Sequence, residues 1–263
     1  MPSSAPQVVP DEELAGKPLL EAVDICRSYQ MNGSVHQVLE GIRFPVRQGE
    51  FTCVTGRSGC GKTTLLKILA GLTSPSSGRD LMEGSPVNGP GPDRCVVFQE
   101  YALFPWLTVE ENIAFGLKIR TVEKSTAKEA VDRYLALMGL SRFKDYLPRE
   151  ISGGMKQRVA LARVLILNPR ILLMDEPFGA LDAQTREDMQ CLLLELWQEL
   201  RHTILFVTHD ANEALLLADK ILIMGINPGR IVKEISVDLP WPRAKEEREF
   251  LLMGQELRAA LRS

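Results

Sequence analysis

Apolar and polar positions alternate along PLLEAVDICRSY and again along VLEGIRFPV, which predicts two half-buried strands. FTCVT (51–55) predicts a shorter strand that runs straight into GRSGCGKT. The spacing then turns helical at TLLKILAGL, a segment closed by Gly71. GRDLMEGSPVNGPGPDRCVVFQ, punctuated by Gly and Pro, predicts further short strands and a hairpin.

From about 104 to 150 the texture is helical. Thr108 with Glu111, and Thr126 with Glu129, have the spacing of capping boxes, and Val131, Tyr134, Leu135 and Met138 recur at helical intervals. After ISGG the helix MKQRVALARVLILN runs until Pro169 stops it. The apolar run ILLM (171–174) suits a parallel strand buried on both faces. A helix follows Asp182 with Met189, Leu192, Leu193, Leu196 and Leu200 on one stripe. Then come the strand TILFVT, a short helix capped by Asp210 with Glu213, and the strand KILIM. This strand–helix alternation predicts an α/β core around a parallel sheet. The antiparallel-looking strands flanking Lys62 and a helical insert at about 100–160 are expected as attachments to it. Residues 1–18, rich in Pro, Ser and acidic side chains, predict a flexible N-terminal tail, and residues 243–263 an amphipathic closing helix.

Composition narrows the function classes. The net charge is −3, from 31 basic and 34 acidic residues, so no global basic field points to nucleic acid. No run of about 18 apolar residues occurs, and the first residues lack the basic-then-apolar pattern of a secretory leader. Five cysteines without close pairs argue against a disulfide framework and fit a reducing compartment.

GRSGCGKT, at Gly56–Thr63 and continued by Thr64, fits the phosphate-loop pattern between a strand and a helix. The backbone from Gly56 through Arg57, Ser58, Gly59, Cys60 and Gly61 would cradle phosphate oxygens. Lys62 would reach the β- and γ-phosphates of ATP, and the Thr63 hydroxyl would ligate Mg²⁺. Cys60 reads as a small neutral filler, but its place beside Lys62 predicts a lowered thiol pKa and inactivation by thiol reagents that ATP prevents. ILLMDEP puts Asp175 and Glu176 at the carboxyl end of a buried strand, where ligands of open α/β sheets gather. There Asp175 would hold Mg²⁺ through water, and Glu176 would orient and polarise the attacking water.

ISGGMKQR (151–158) has the form of a second phosphate grip, a glycine pair opening a helix. One phosphate loop leaves charge unmet. The triphosphate carries about −4, against roughly +2, +1 and +0.5 from Mg²⁺, Lys62 and one helix end. A helix start at Ser152, Gly153 and Gly154 could supply more donors, although periodicity alone does not say in which chain.

GRSGCGKT, Gln99, ISGGMKQR, ILLMDEP, ALD (180–182) and His209 stand in the order seen in ATP-binding cassette (ABC) ATPases, and residues 19–235 resemble that family. The resemblance implies a P-loop NTPase fold with a parallel-sheet core, an antiparallel β subdomain and a helical subdomain carrying the signature motif. Residues 236–263 are then a C-terminal extension. It further implies a head-to-tail dimer in which Ser152, Gly153 and Gly154 meet the γ-phosphate of the partner's ATP, with Asp182 at the dimer interface. Tyr29 corresponds to the residue that stacks on adenine, Gln99 to one that contacts Mg²⁺ and the attacking water, and His209 to one that holds the γ-phosphate. Ile151 and Met155 depart from the commonest signature, which has Leu and Gln there.

YALFPWLTVEEN (101–112) places Phe104, Trp106 and Leu107 just after Gln99, and an apolar cluster there suits protein docking as well as local packing. In the family this region receives a helix of the membrane subunit. GPGPDRCVVFQEYALFPWLTVEEN and DEPFGALDAQTR resemble importer ATPases of the nitrate, aliphatic sulfonate, taurine and bicarbonate group. The resemblance therefore implies an energy-coupling importer subunit, peripheral on the cytoplasmic face of the cell membrane. Its partners would be a second ATPase subunit (a homodimer), integral permease subunits and an extracytoplasmic binding protein, with no nucleic acid. Two alternatives stay open: an importer or exporter ATPase for another cargo, and a soluble ABC ATPase acting on ribosomes or DNA. A P-loop kinase would leave ISGGMKQR unexplained.

Overall fold

A computed structural model describes residues 17–31 and 33–261; most of the stretch read as an N-terminal tail, residues 1–16, and the last two positions of the closing helix lie outside them. Strands β1 (Pro18–Met31) and β2 (Ser34–Arg47) pair antiparallel, and β4 (Ser77–Met82) joins the other edge of β1. The hairpin from β4 to β5 (Ser85–Pro86) turns on Glu83 and Gly84, whose φ angles of 51° and 78° match the twist of paired strands.

The second sheet has the order β10–β9–β3–β8–β7–β6. Five members run parallel: β3 (Phe51–Gly56), β6 (Arg94–Val97), β7 (Ile171–Asp175), β8 (Thr203–Thr208) and β9 (Lys220–Met224). On the outer edge, β10 (Ile231–Ser236) pairs antiparallel with β9; its mostly exposed residues carry little alternation, so the hydrophobic pattern gave no sign of it.

Both faces of the parallel sheet are covered. Val54, Leu173, Leu205 and Leu222 meet helix α1 (Lys62–Leu69) and the antiparallel sheet through Leu65, Leu69, Ile42 and Leu20. Leu172, Met174 and Phe206 point the other way, into a core shared with α4 (Gly153–Leu165), α5 (Ala183–Leu200) and α6 (Ala211–Leu217). Burying each strand on two sides explains the unbroken apolar runs.

Helices α2 (Val109–Ile119) and α3 (Lys124–Leu137) pack beside α4 as the helical insert. The Thr108–Glu111 capping box forms, with Thr108 Oγ1 accepting from Glu111 N at 3.2 Å and Glu111 Oε2 from Thr108 N at 2.9 Å. The Thr126–Glu129 box does not. Helix α3 starts one turn earlier, and the Thr126 hydroxyl donates back to Glu123 at 3.2 Å, so Thr126 lies inside the helix rather than at its cap. Helix α7 (Arg248–Ala260) closes the described chain, burying Phe250 and Leu257 against α6 while Leu251 and Leu252 face outward.

Within this frame β8 lies between β3 and β7, so the carboxyl ends of three neighbouring strands bring Gly56, Asp175 and Thr208 to one edge of the sheet.

Candidate functional site

The loop after β3 is built from conformations that need glycine. Gly61 sits at φ 98°, and a β-carbon there would fall 2.6 Å from Leu39 Cδ2, so the loop can pass β2 only without one. Helix α1 then starts at Lys62 with no side-chain cap, leaving its first N–H groups turned toward the loop. Lys62 is only 5% exposed, and its ammonium donates to the carbonyls of Gly56 (2.9 Å) and Arg57 (3.3 Å), within 3.9 Å of Glu176 Oε1.

Thr63 Oγ1 donates to Asp175 Oδ1 at 3.1 Å. Burial raises the Asp175 carboxyl above the usual aspartate range, with the Thr63 hydrogen bond as the largest opposing influence. A hydroxyl and a carboxylate converging at a helix start form the hard oxygen pair that suits Mg²⁺. Glu176, the next residue, has φ 44°, an uncommon value for a non-glycine residue, held by Glu176 N donating to Val207 O at 2.9 Å. That turn aims Glu176 Oε2 at His209 Nδ1, 3.0 Å away. His209 follows β8 and keeps its side chain 61% exposed. Gln99, exposed after β6, lies against the loop that follows Glu176: a β-carbon on Gly179 would stand 3.3 Å from its Nε2.

The second glycine pair is held elsewhere. Ser152 caps α4 by accepting from Met155 N at 3.3 Å, and Asp182 caps α5 by accepting from Thr185 N at 3.0 Å and Thr185 Oγ1 at 2.7 Å. Those bonds to Thr185 hold the Asp182 carboxyl below its ordinary pKa. Gly154 packs onto this same turn; a β-carbon would come 2.4 Å from Thr185 Cγ2. Among the described residues no hydrogen bond or ion pair links residues 151–154 to residues 56–64. One chain therefore assembles Lys62, Thr63, Asp175, Glu176 and His209, and holds Ser152, Gly153, Gly154 and Asp182 as a separate unit.

Tyr29, on β1, is 37% exposed and has the Arg27 guanidinium 4.5 Å over its ring. Cys60 departs from expectation. It is buried at 1% exposure, and burial pushes its thiol up, outweighing the opposing Lys62 charge. The expected lowered pKa is thus corrected to a raised one.

Phe104 packs on Phe115 and Trp106, with ring centroids 4.3 and 5.7 Å apart, while Trp106 stays 71% exposed. Sequence reading missed the residue that shapes this turn. Asn112, fully buried in α2, accepts from Phe104 N and donates to the carbonyls of Phe104, Leu107 and Thr108, all within 3.1 Å. The available signal was a polar residue next to Val109 and Ile113 on the helix's apolar face. Glu213, read only as part of the Asp210 cap, and Gln190, which was passed over, are both buried, and Gln190 Nε2 donates to Glu213 Oε1 at 3.0 Å.

A profile described as ABC transporter matches residues 39–179. The chain is 43% identical over 252 residues to the nitrate import ATP-binding protein NrtD of Synechocystis sp., covering 92% of this chain and 95% of that one. It is 44% identical over 235 residues to the aliphatic sulfonates import ATP-binding protein SsuB of Bacillus cereus, covering 89% and 91%. Among solved structures, a dimeric ATP-binding cassette in a post-hydrolysis state with ADP and Pi aligns with a TM-score of 0.74 at 29% identity, over 84% of this chain and all of that one.

Proposed function

This chain belongs to the ABC transporter family, and from that membership we propose that it is the energy-coupling subunit of an importer for a small anion. It is an ATPase that uses ATP with Mg²⁺. The observation that carries the mechanistic reading is the separation of the two grips. Lys62, Thr63, Asp175, Glu176 and His209 converge at one sheet edge, while Ser152 caps α4 and Gly154 packs on the α5 cap, and among the described residues neither bonds to the phosphate loop.

In this reading the loop N–H groups and Lys62 bind the β- and γ-phosphates, and Tyr29 lies against the base. Thr63, Asp175 and Gln99 would hold Mg²⁺, which supplies neutralisation of phosphate charge when bound. Glu176 orients and deprotonates the attacking water, and His209, oriented by Glu176, holds the γ-phosphate. Ser152, Gly153 and Gly154 complete the site of a second copy, with Asp182 at the contact. Pre-set donors of this kind lower the barrier without reorganising at the moment of reaction.

The exposed Trp106 beside Phe104 and Leu107 is the surface assigned to a permease subunit. Among the described residues no helix is long and apolar enough to cross a membrane, so attachment at the cytoplasmic face would come through that partner. The names of the nitrate and sulfonate relatives support import of a compact anion, delivered by an extracytoplasmic binding protein.

The test is purification of the tagged protein from native membranes in mild detergent, with co-purifying chains identified by mass spectrometry. A polytopic permease and a secreted binding protein are expected. Ribosomal or nucleic-acid partners with no permease would overturn the importer reading and leave the ATPase standing.

A further inference from the structure

Beside Glu176 and His209 lies a small cavity of about 50 Å³, lined by Glu176, Gly179, Arg186, Thr208, Asp210 and Glu213 among others. Glu213 takes no part in phosphate, magnesium or water binding. It is a carboxylate at 6% exposure in the first turn of α6, a costly place for a charge without partners. Its partner across the helix interface is Gln190, itself 5% exposed, at 3.0 Å.

The residue joined to this pair by the chain of contacts is His209. Its ring is mostly exposed and hydrogen-bonds to Glu176 Oε2, so apart from that bond the backbone around it fixes where it stands. Thr208 Oγ1 accepts from Asp210 N at 3.1 Å, and Asp210 Oδ1 accepts from Asn212 N at 2.8 Å and Glu213 N at 3.3 Å. Glu213 then anchors this turn to α5 through Gln190. Gln190 lies about 12 Å along α5 from its Asp182 cap, at roughly 1.5 Å per residue. The turn carrying His209 is thereby tied to the helix that begins at the proposed dimer contact.

We propose that Glu213 is a positioning residue for ATP hydrolysis. The Glu213–Gln190 bridge sets the His209 turn against Glu176 and links it to the Asp182 end of α5. This rests on the reading that His209 serves hydrolysis.

The test compares Glu213→Ala, Glu213→Gln and Gln190→Ala in the full chain by steady-state ATPase assay, ATP binding and histidine NMR. With only His36, His202 and His209 in the chain, the His209 ring signals can be assigned through His209→Gln. Glu213→Ala and Gln190→Ala should each lower kcat at least about tenfold, leave ATP affinity within about twofold and shift the His209 resonances, since small misplacements of a positioned group are costly. Glu213→Gln, which still accepts from Gln190, should keep at least half of kcat. Unchanged His209 resonances in Glu213→Ala and Gln190→Ala, or unchanged kcat, would overturn the proposal, and so would a Glu213→Gln variant as inactive as the alanine one. If Glu213→Ala does not fold, Gln190→Ala carries the same two outcomes. Retained hydrolysis in His209→Gln would instead defeat the underlying reading of His209, which keeps the two failures distinct.

Discussion

Thr63 and Asp175, 112 residues apart in sequence, share a 3.1 Å hydrogen bond that closes the phosphate loop onto the end of β7. The bond brings together two of the side chains that would hold a magnesium ion, one from the start of α1 and one from a strand end. Asp175→Ala should weaken Mg²⁺ at least about tenfold, the scale on which metal sites respond to losing a supporting or ligating group. Magnesium titrations of nucleotide binding measure this. An unchanged magnesium midpoint would remove Asp175 from the site.

Glu176 is held at positive φ and faces both Lys62 and His209. Replacing it with Gln keeps the shape and removes the base. Turnover should fall about 10²- to 10⁴-fold, the range a general base contributes, with ATP affinity within about twofold. Equilibrium binding and single-turnover assays separate the two effects. Hydrolysis near the parent rate would assign the base elsewhere.

Cys60 should resist alkylation. Its thiol is buried and its pKa raised, whereas Cys191 is exposed. In Cys191→Ser, N-ethylmaleimide should leave ATPase activity intact for as long as the fold persists, with or without ATP. Mass spectrometry after timed exposure reads the site directly. Fast labelling at Cys60 that ATP suppresses would restore the reactivity its neighbour Lys62 suggested.

Gly56–Thr63 and ILLMDEP were legible in the sequence because loop, strand end and chemistry coincide within a few residues. The parallel strands were legible because burial on two faces leaves continuous apolar runs at 171–174 and 204–207. Strand β10 was not, since an exposed edge strand imposes almost no pattern. The Cys60 expectation failed because sequence shows a neighbouring charge but not the degree of burial that opposes it. Glu213 with Gln190, 23 residues apart, depends on a tertiary neighbour that no local spacing encodes, whereas the four bonds of Asn112 stay within eight residues and were signalled only by a polar side chain on the apolar face of α2.

Trp106 and Asn112 should respond differently although six residues separate them. Trp106 is 71% exposed, so Trp106→Ala should leave the thermal midpoint nearly unchanged while weakening co-purification with a permease subunit. Asn112→Ala removes a fully buried side chain that makes four hydrogen bonds to the turn before α2, and should cost about 2–4 kcal/mol. Chemical denaturation and detergent pull-downs distinguish the two. Intact assembly in Trp106→Ala would move the docking surface elsewhere.

Arg243 anchors the segment leading into α7. It is 7% exposed and donates to the carbonyls of Leu215 and Ala218, both at 2.7 Å, and of Val237 and Leu239, both at 3.3 Å. Its guanidinium also lies 3.8 Å over the Trp241 ring, which packs on Trp197. Burial pulls its pKa down to about 10, with Asp219 opposing, so the cation persists at neutral pH. The carbonyls of Leu215 and Ala218 lie at the end of α6, where a cation also opposes the helix dipole. Arg243→Met should therefore leave several buried carbonyls unpaired and destabilise the fold by about 3 kcal/mol, measured by urea unfolding. Arg243→Lys should recover little, because a single ammonium cannot reach carbonyls spread around a planar fork. A loss below about 1 kcal/mol in Arg243→Met would mean that the surrounding backbone finds other donors, and that α7 docks through Phe250 and Leu257 alone.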